Sequence, residues 1–108
     1  MVKFKIEWSP EAKADLFNIL QFYIDQNKSS TYSKKLNAKI RENLNLLKSN
    51  PEMGKQTDIA SVRNLITNHY EIIYELIENV VLIVMIWDSR RNPEFKIKNS
   101  KYNPPKGL

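Results

Sequence analysis

Polar and apolar residues alternate from Lys3 to Trp8, placing Phe4, Ile6 and Trp8 on one face, which is the pattern of a half-buried opening strand. The period changes at Ser9-Pro10-Glu11. Ser9 is suited to cap a helix and Pro10 to occupy its first turn, where the missing N–H costs nothing. Ala12, Leu16, Ile19, Leu20 and Tyr23 then recur at helical spacing, and the stripe fades around Gln26 to Lys28. Ser29-Ser30 is a second capping site. The stripe that follows it, Leu36, Ile40, Leu44 and Leu47, predicts a second helix ending at Asn50-Pro51. The two helices form a hairpin, and Lys34, Lys35, Lys39, Arg41 and Lys48 read as its solvated surface.

Pro51 to Asp58, with Gly54 and several polar residues, reads as a loop. Ser61 to Ile66, Tyr70 to Leu76 and Val80 to Trp87 are rich in β-branched and aromatic residues. The breaks between them, Thr67 to His69 and Glu78-Asn79, are short enough for hairpin turns, so a three-stranded antiparallel meander follows. The last segment is apolar throughout, which implies burial on both faces and a neighbour on each side. The opening strand is the free candidate for the second neighbour. The fold class is therefore α+β: an opening strand, a helical hairpin and an antiparallel meander, with the helices on one face of the sheet.

At 108 residues the chain has room for one domain, and its two glycines leave little scope for phosphate-cradling loops. It has no cysteine, so disulfides, zinc–thiolate clusters and thiol catalysis are excluded. The start of the chain lacks the apolar core of a signal peptide, and no apolar run approaches the roughly 20 residues of a membrane helix. The expectation is a soluble cytoplasmic protein that neither spans nor anchors to a membrane.

Charge changes the picture at one end. Residues 1–88 carry eleven basic and eleven acidic residues, whereas residues 89–108 carry Arg90, Arg91, Lys96, Lys98, Lys101 and Lys106 against Glu94 alone. The net charge of +5 thus sits in the C-terminal segment. Such a segment suits an acidic partner, nucleic acid or protein, or is simply a solvated flexible tail.

Candidate chemistry is sparse. His69 is the only histidine and falls in a predicted turn, where catalysis is the minor reading. Asp88, beside Arg90 and Arg91, suits a local ion pair or turn hydrogen bond. Arg63, Arg90 and Arg91 remain. A three-stranded antiparallel arrangement allows them to converge near one edge and bind phosphate or carboxylate bidentately, but strand register decides whether they meet. The alternative is that each caps a carbonyl or pairs with an acid. Neither a cofactor nor a metal site is expected.

In order along the chain, IEWSPEAKADL (6–16), Tyr23-Ile24, LLKSNPEMG (46–54), VRNL (62–65), YEIIYEL (70–76) and IWDSRRNP (86–93) resemble the RelE/ParE superfamily of toxins from bacterial type II toxin-antitoxin modules. The likeness spans roughly residues 4–95. It implies a single toxin domain over residues 1–95, with 96–108 as a basic C-terminal tail, and it implies the fold read above. The mRNA-cleaving members imply a basic cluster on the middle strands and an ionisable or aromatic group near the C-terminus. Here Val62 and Asn64 flank Arg63, Glu71 follows Tyr70, and Phe95 offers no ionisable group.

The sequence is thus more similar to the ParE-type branch, which implies inhibition of DNA gyrase by binding. Arg63, Arg90, Arg91, Lys96 and Lys98 are then contact residues and no residue is catalytic. The alternative is a ribosome-dependent mRNA endoribonuclease using Arg63, Arg90 and Arg91, and a third is a degenerate member that only binds antitoxin. In every case the resemblance implies a small cognate antitoxin that wraps the toxin in a hetero-oligomer.

Overall fold

A computed structural model describes residues 4–67 and 69–90. The opening alternation becomes strand β1, Lys5–Trp8, with Ile6 and Trp8 packed toward the core. Helix α1, Pro10–Asn27, starts where the sequence predicts: Ser9 is extended (φ −72°, ψ 157°) and its Oγ accepts from the Ala12 N–H at 3.0 Å. The same hydroxyl donates to the Val84 carbonyl, and the Ser9 N–H donates to that of Ile83. One cap therefore begins the helix and fastens it to the sheet. With no glycine available, α1 ends on Lys28 in the left-handed region (φ 54°), which costs a residue with a Cβ about 1 kcal/mol.

Helix α2, Thr31–Leu47, buries the predicted Leu36, Ile40, Leu44 and Leu47, together with Ser33. Ser33 Oγ donates to the Leu20 carbonyl at 2.7 Å, tying the two helices. Capping at its start differs from expectation. Ser30 holds the cap position without a side-chain bond, and Ser29 Oγ accepts from the Thr31 N–H instead.

Strands β2 (Lys55–Gln56), β3 (Val62–Ile66), β4 (Tyr70–Ile77) and β5 (Val80–Asp88) join β1 in one sheet of order β1-β5-β4-β3-β2. β1 runs parallel to β5, and the other pairings are antiparallel. The meander and the two-sided burial of β5 follow the sequence reading. β2 does not: the segment expected as loop contributes a two-residue edge strand, too short to carry a period.

Between β4 and β5 the register slips. Ile73 pairs with Met85 and Tyr74 with Ile83, leaving Val84 as the extra residue of a bulge. Ile83 and Ile86 consequently both face the helices, while Val84 and Met85 pack on the opposite face with Val62 and Ile73. A bulge strands backbone polar groups, which must be satisfied elsewhere. Helix α1 supplies the partners: Ser9 Oγ reaches the Val84 carbonyl, and the buried carboxylate of Asp15 accepts from the Ile86 N–H at 3.2 Å. Both helices pack on the face bearing Ile72, Tyr74, Ile83 and Ile86, as expected. No helix among the described residues is long and apolar enough to cross a membrane.

Candidate functional site

Arg63 lies on β3 opposite Tyr74 of β4 and Gln56 of β2. Its guanidinium is directed at the protein's own backbone: Nη1 donates to the Glu52 carbonyl at 3.1 Å and to the Gly54 carbonyl at 2.8 Å. The buried Tyr74 hydroxyl holds the same loop, accepting from the Gly54 N–H at 2.9 Å and donating to the Pro51 carbonyl at 2.8 Å. Burial raises the Tyr74 phenol above its ordinary pKa. A Cβ on Gly54 would lie 2.5 Å from that hydroxyl, so glycine is required there for close approach. These bonds hold the loop that leads into β2, which itself pairs with β3. Arg63 is a carbonyl cap, the structural alternative the sequence had left open.

The register also keeps Arg63 apart from the second arginine. Arg63 is level with Tyr74 and Ile83, whereas Asp88, the last residue of β5, is level with Tyr70. Four residues of β4, about 13 Å at ~3.3 Å per residue, separate those levels. Because β3 and β5 both run antiparallel to β4, a residue near the start of one and a residue past the end of the other occupy opposite ends of the sheet. The convergence allowed by the sequence does not occur for Arg63 and Arg90. Arg91, Lys96 and Lys98 lie outside the described residues.

At the far end, three elements meet around Arg90. Asp88 is 5% exposed, and its Oδ2 accepts from the Tyr23 hydroxyl of α1 at 2.8 Å while its Oδ1 accepts from the Arg90 N–H at 3.0 Å. The turn hydrogen bond expected for Asp88 is thus present. Arg90 Nη1 donates to the Tyr32 hydroxyl of α2 at 2.8 Å, and its guanidinium carbon lies 5.6 Å from the Tyr32 ring centre. Tyr32 in turn meets Tyr23 edge-on, with ring centres 4.9 Å apart. Desolvation, reinforced by the hydrogen bond to Asp88, pushes the Tyr23 phenol up to about 12. Tyr32 carried no signal in the sequence, since its partner lies 58 residues away.

His69 is exposed in the β3–β4 turn, where its carbonyl accepts from the Ser89 N–H at 3.1 Å. The positions where a nuclease reading would want cations are differently occupied. Val62 is in the core, and Asn64 Nδ2 donates to Glu71 Oε1 at 2.8 Å.

A third feature escaped the sequence reading. Trp8, Leu16, Phe17, Leu20, Asn37 and Arg41 line a cleft of about 400 Å³ on the helical hairpin beside the edge strand β1, and a smaller hollow continues past Ile6 and Leu44 to Lys48. The Arg41 guanidinium stacks 5.3 Å over the Trp8 ring, and Phe17 is 65% exposed. Asn37 Oδ1 is buried with no hydrogen-bond partner. Lys13, Arg41 and Lys48 are the charged side chains among the described residues lining these hollows. The available signal was Phe17, an apolar residue off the α1 stripe.

This architecture is that of a small α+β toxin fold. It is similar to the chromosomal ParDE toxin-antitoxin system of P. aeruginosa (TM-score 0.69, 20% identity, covering 80% of this chain and 96% of that one). It is also similar to the RelBE2 toxin-antitoxin complex of Mycobacterium tuberculosis (0.60, 16%, 81% and 99%) and to the E. coli DinJ-YafQ toxin-antitoxin complex (0.54, 13%, 84% and 98%). At such identities the likeness shows the fold. No curated protein sequence matches the chain. Residues 6–93 match the family described as ParE toxin of type II toxin-antitoxin system, parDE, and the chain belongs to that family.

Proposed function

We propose that this toxin arrests growth in the cytoplasm by binding and inhibiting DNA gyrase rather than by cleaving mRNA. A cognate antitoxin neutralises it through an acidic amphipathic segment seated in the Trp8–Phe17 cleft. The observation that carries the first part is the use of Arg63: its guanidinium is bonded to the Glu52 and Gly54 carbonyls, and the neighbouring Asn64 and Glu71 are bonded to each other. That surface offers little preorganised positive charge to a pentacoordinate phosphate. The basic C-terminal segment remains as contact surface.

The second part is supported by the cleft's chemistry. Exposed Phe17 and half-buried Trp8 offer apolar area, Lys13, Arg41 and Lys48 offer positive charge to carboxylates, and Asn37 Oδ1 awaits a donor.

In a supercoiling assay the purified toxin is expected to inhibit gyrase and to accumulate gyrase–DNA cleavage complexes, with translating ribosomes leaving their mRNA intact. Unchanged supercoiling together with codon-positioned mRNA cuts would replace this reading with the endoribonuclease, and no arrest at all would leave a pure antitoxin-binding module. For the cleft, Phe17→Glu and Arg41→Glu are each expected to weaken antitoxin binding at least tenfold. Unchanged affinity in both would place the antitoxin elsewhere.

A further inference from the structure

The cluster at the end of β5 is more elaborate than the fold requires. A carboxylate removed from water is costly to keep, and well-packed apolar side chains at such sites are often as stable or more so. Asp88 is nonetheless buried where β5 ends, and its two oxygens do different jobs: one orients the Tyr23 hydroxyl and the other receives the Arg90 N–H. Tyr32 then holds the Arg90 side chain by a hydrogen bond to Nη1 and by its ring. Backbone and side chain of a single exposed arginine are thus fixed by α1, α2 and β5 together. Arg63, by contrast, is fixed with its donors turned onto the protein's own carbonyls.

We propose that Tyr23, Tyr32 and Asp88 are positioning residues that clasp Arg90 in its target-binding orientation at the point where the basic segment begins. The inference rests on the reading that this end of the molecule contacts the target, but not on the target being gyrase. An arginine side chain loses much rotamer freedom when it is captured at an interface, and holding it in place beforehand removes that loss. Nη1 engages Tyr32, which leaves the rest of the guanidinium fork to the solvent side, where Arg90 is exposed. The edge-on contact between Tyr23 and Tyr32 couples the two anchors, so that loosening one loosens the other.

The test is growth arrest by titrated expression of the full chain without antitoxin, reading the amount of toxin that halves the growth rate. Melting temperature and antitoxin affinity are measured on the same variants. Arg90→Ala is expected to raise the half-arresting amount at least tenfold. Tyr32→Phe and Tyr23→Phe are expected to raise it about threefold to tenfold with antitoxin affinity near that of the unmodified protein; Tyr32→Phe keeps the melting temperature, whereas Tyr23→Phe lowers it by a few degrees because buried Asp88 loses a donor. The decisive variant combines Tyr32→Phe with Arg90→Ala. A residue acting through Arg90 adds nothing once Arg90 is gone, whereas an independent structural role adds its full factor.

The proposal stands if the double variant matches Arg90→Ala. It is overturned if the two factors multiply, if either tyrosine variant arrests growth like the unmodified protein, if the Tyr32→Phe loss follows a fall in melting temperature, or if Arg90→Ala itself has no effect. The supercoiling assay is read separately: a toxin that leaves gyrase untouched but shows this non-additivity sinks the gyrase reading and keeps the clasp.

Discussion

Arg63 and Arg90 are the same residue type beside strands of the same sheet, yet the two ends of the molecule use them in opposite ways. At one end the guanidinium replaces missing backbone partners in the Pro51–Gln56 loop, next to a buried tyrosine that does the same. At the other, the guanidinium rests on a tyrosine and the arginine remains exposed. The difference teaches that a basic residue is available to a partner only when the protein's own unpaired carbonyls have not already claimed it. A loop with few ladder bonds claims its arginine, whereas the end of β5, paired with β4 out to Asp88, does not.

The largest effect that would break this comparison belongs to the Arg63 end. Gly54→Ala drives a Cβ into the Tyr74 hydroxyl and is expected to destabilise the protein by about 3 kcal/mol in denaturant unfolding. A loss under ~0.5 kcal/mol would show that the loop is not pinned as described. Next, Arg63→Ala is expected to cost about 1–2 kcal/mol of stability through its two carbonyl bonds, while arrest per folded molecule is unchanged. Arg90→Ala, largely solvent-facing, is expected to cost within about 0.5 kcal/mol. If the stability losses were reversed between the two, the assignment of one arginine to structure and the other to contact would be wrong.

Titration sharpens the Arg90 end. The Tyr23 phenol is neutral when protonated, and its pKa in the folded protein is about 12 against 10.0 ordinarily, so the folded state holds the proton more tightly. This contribution is complete below pH 10 and is lost as pH rises from 10 through 12. Allowing for solvent screening it is on the order of 1 kcal/mol. Unfolding measured across that window should show a shallower alkaline decline in Tyr23→Phe. An identical decline would remove Tyr23 from the clasp's electrostatics.

The smallest expected effects are at the backbone, where among the described residues each end carries one left-handed residue that is not glycine: Lys28 in the helical hairpin and Glu78 in the β4–β5 turn, both with φ 54°. Lys28→Gly and Glu78→Gly are each expected to stabilise by about 0.5 kcal/mol, the relief of strain being partly offset by the freer unfolded chain. Equal gains would show that the two ends differ in how they use side chains and not in how tightly the backbone is drawn.

Much of the scaffold was legible from the chain. Ser9-Pro10 marked the start of α1, and Leu36, Ile40, Leu44 and Leu47 marked the buried face of α2. The unbroken apolar run from Val80 placed β5 between two neighbours. The sites were far less legible. Phe17 stood out only as an apolar residue off its stripe, Tyr32 not at all, and Arg63 and Arg90 carried the same two alternatives, anion contact or a cap on the protein's own groups. Asp15, a carboxylate on the buried side of α1, could be understood only once the bulge at Val84 had left the Ile86 N–H in need of an acceptor.

The sequence by itself determined what is local: the period of each element, the residues that begin and end it, which face it buries and where the charge excess lies. These follow from side-chain spacing and from backbone preferences of neighbouring residues, both of which operate over a few positions. Only the tertiary structure decided the register, and with it the bulge, the edge strand made from two polar residues and the separation of Arg63 from Arg90. Register is set by backbone pairing between segments distant along the chain. A slip of one residue changes which side chains meet while leaving every local pattern unchanged.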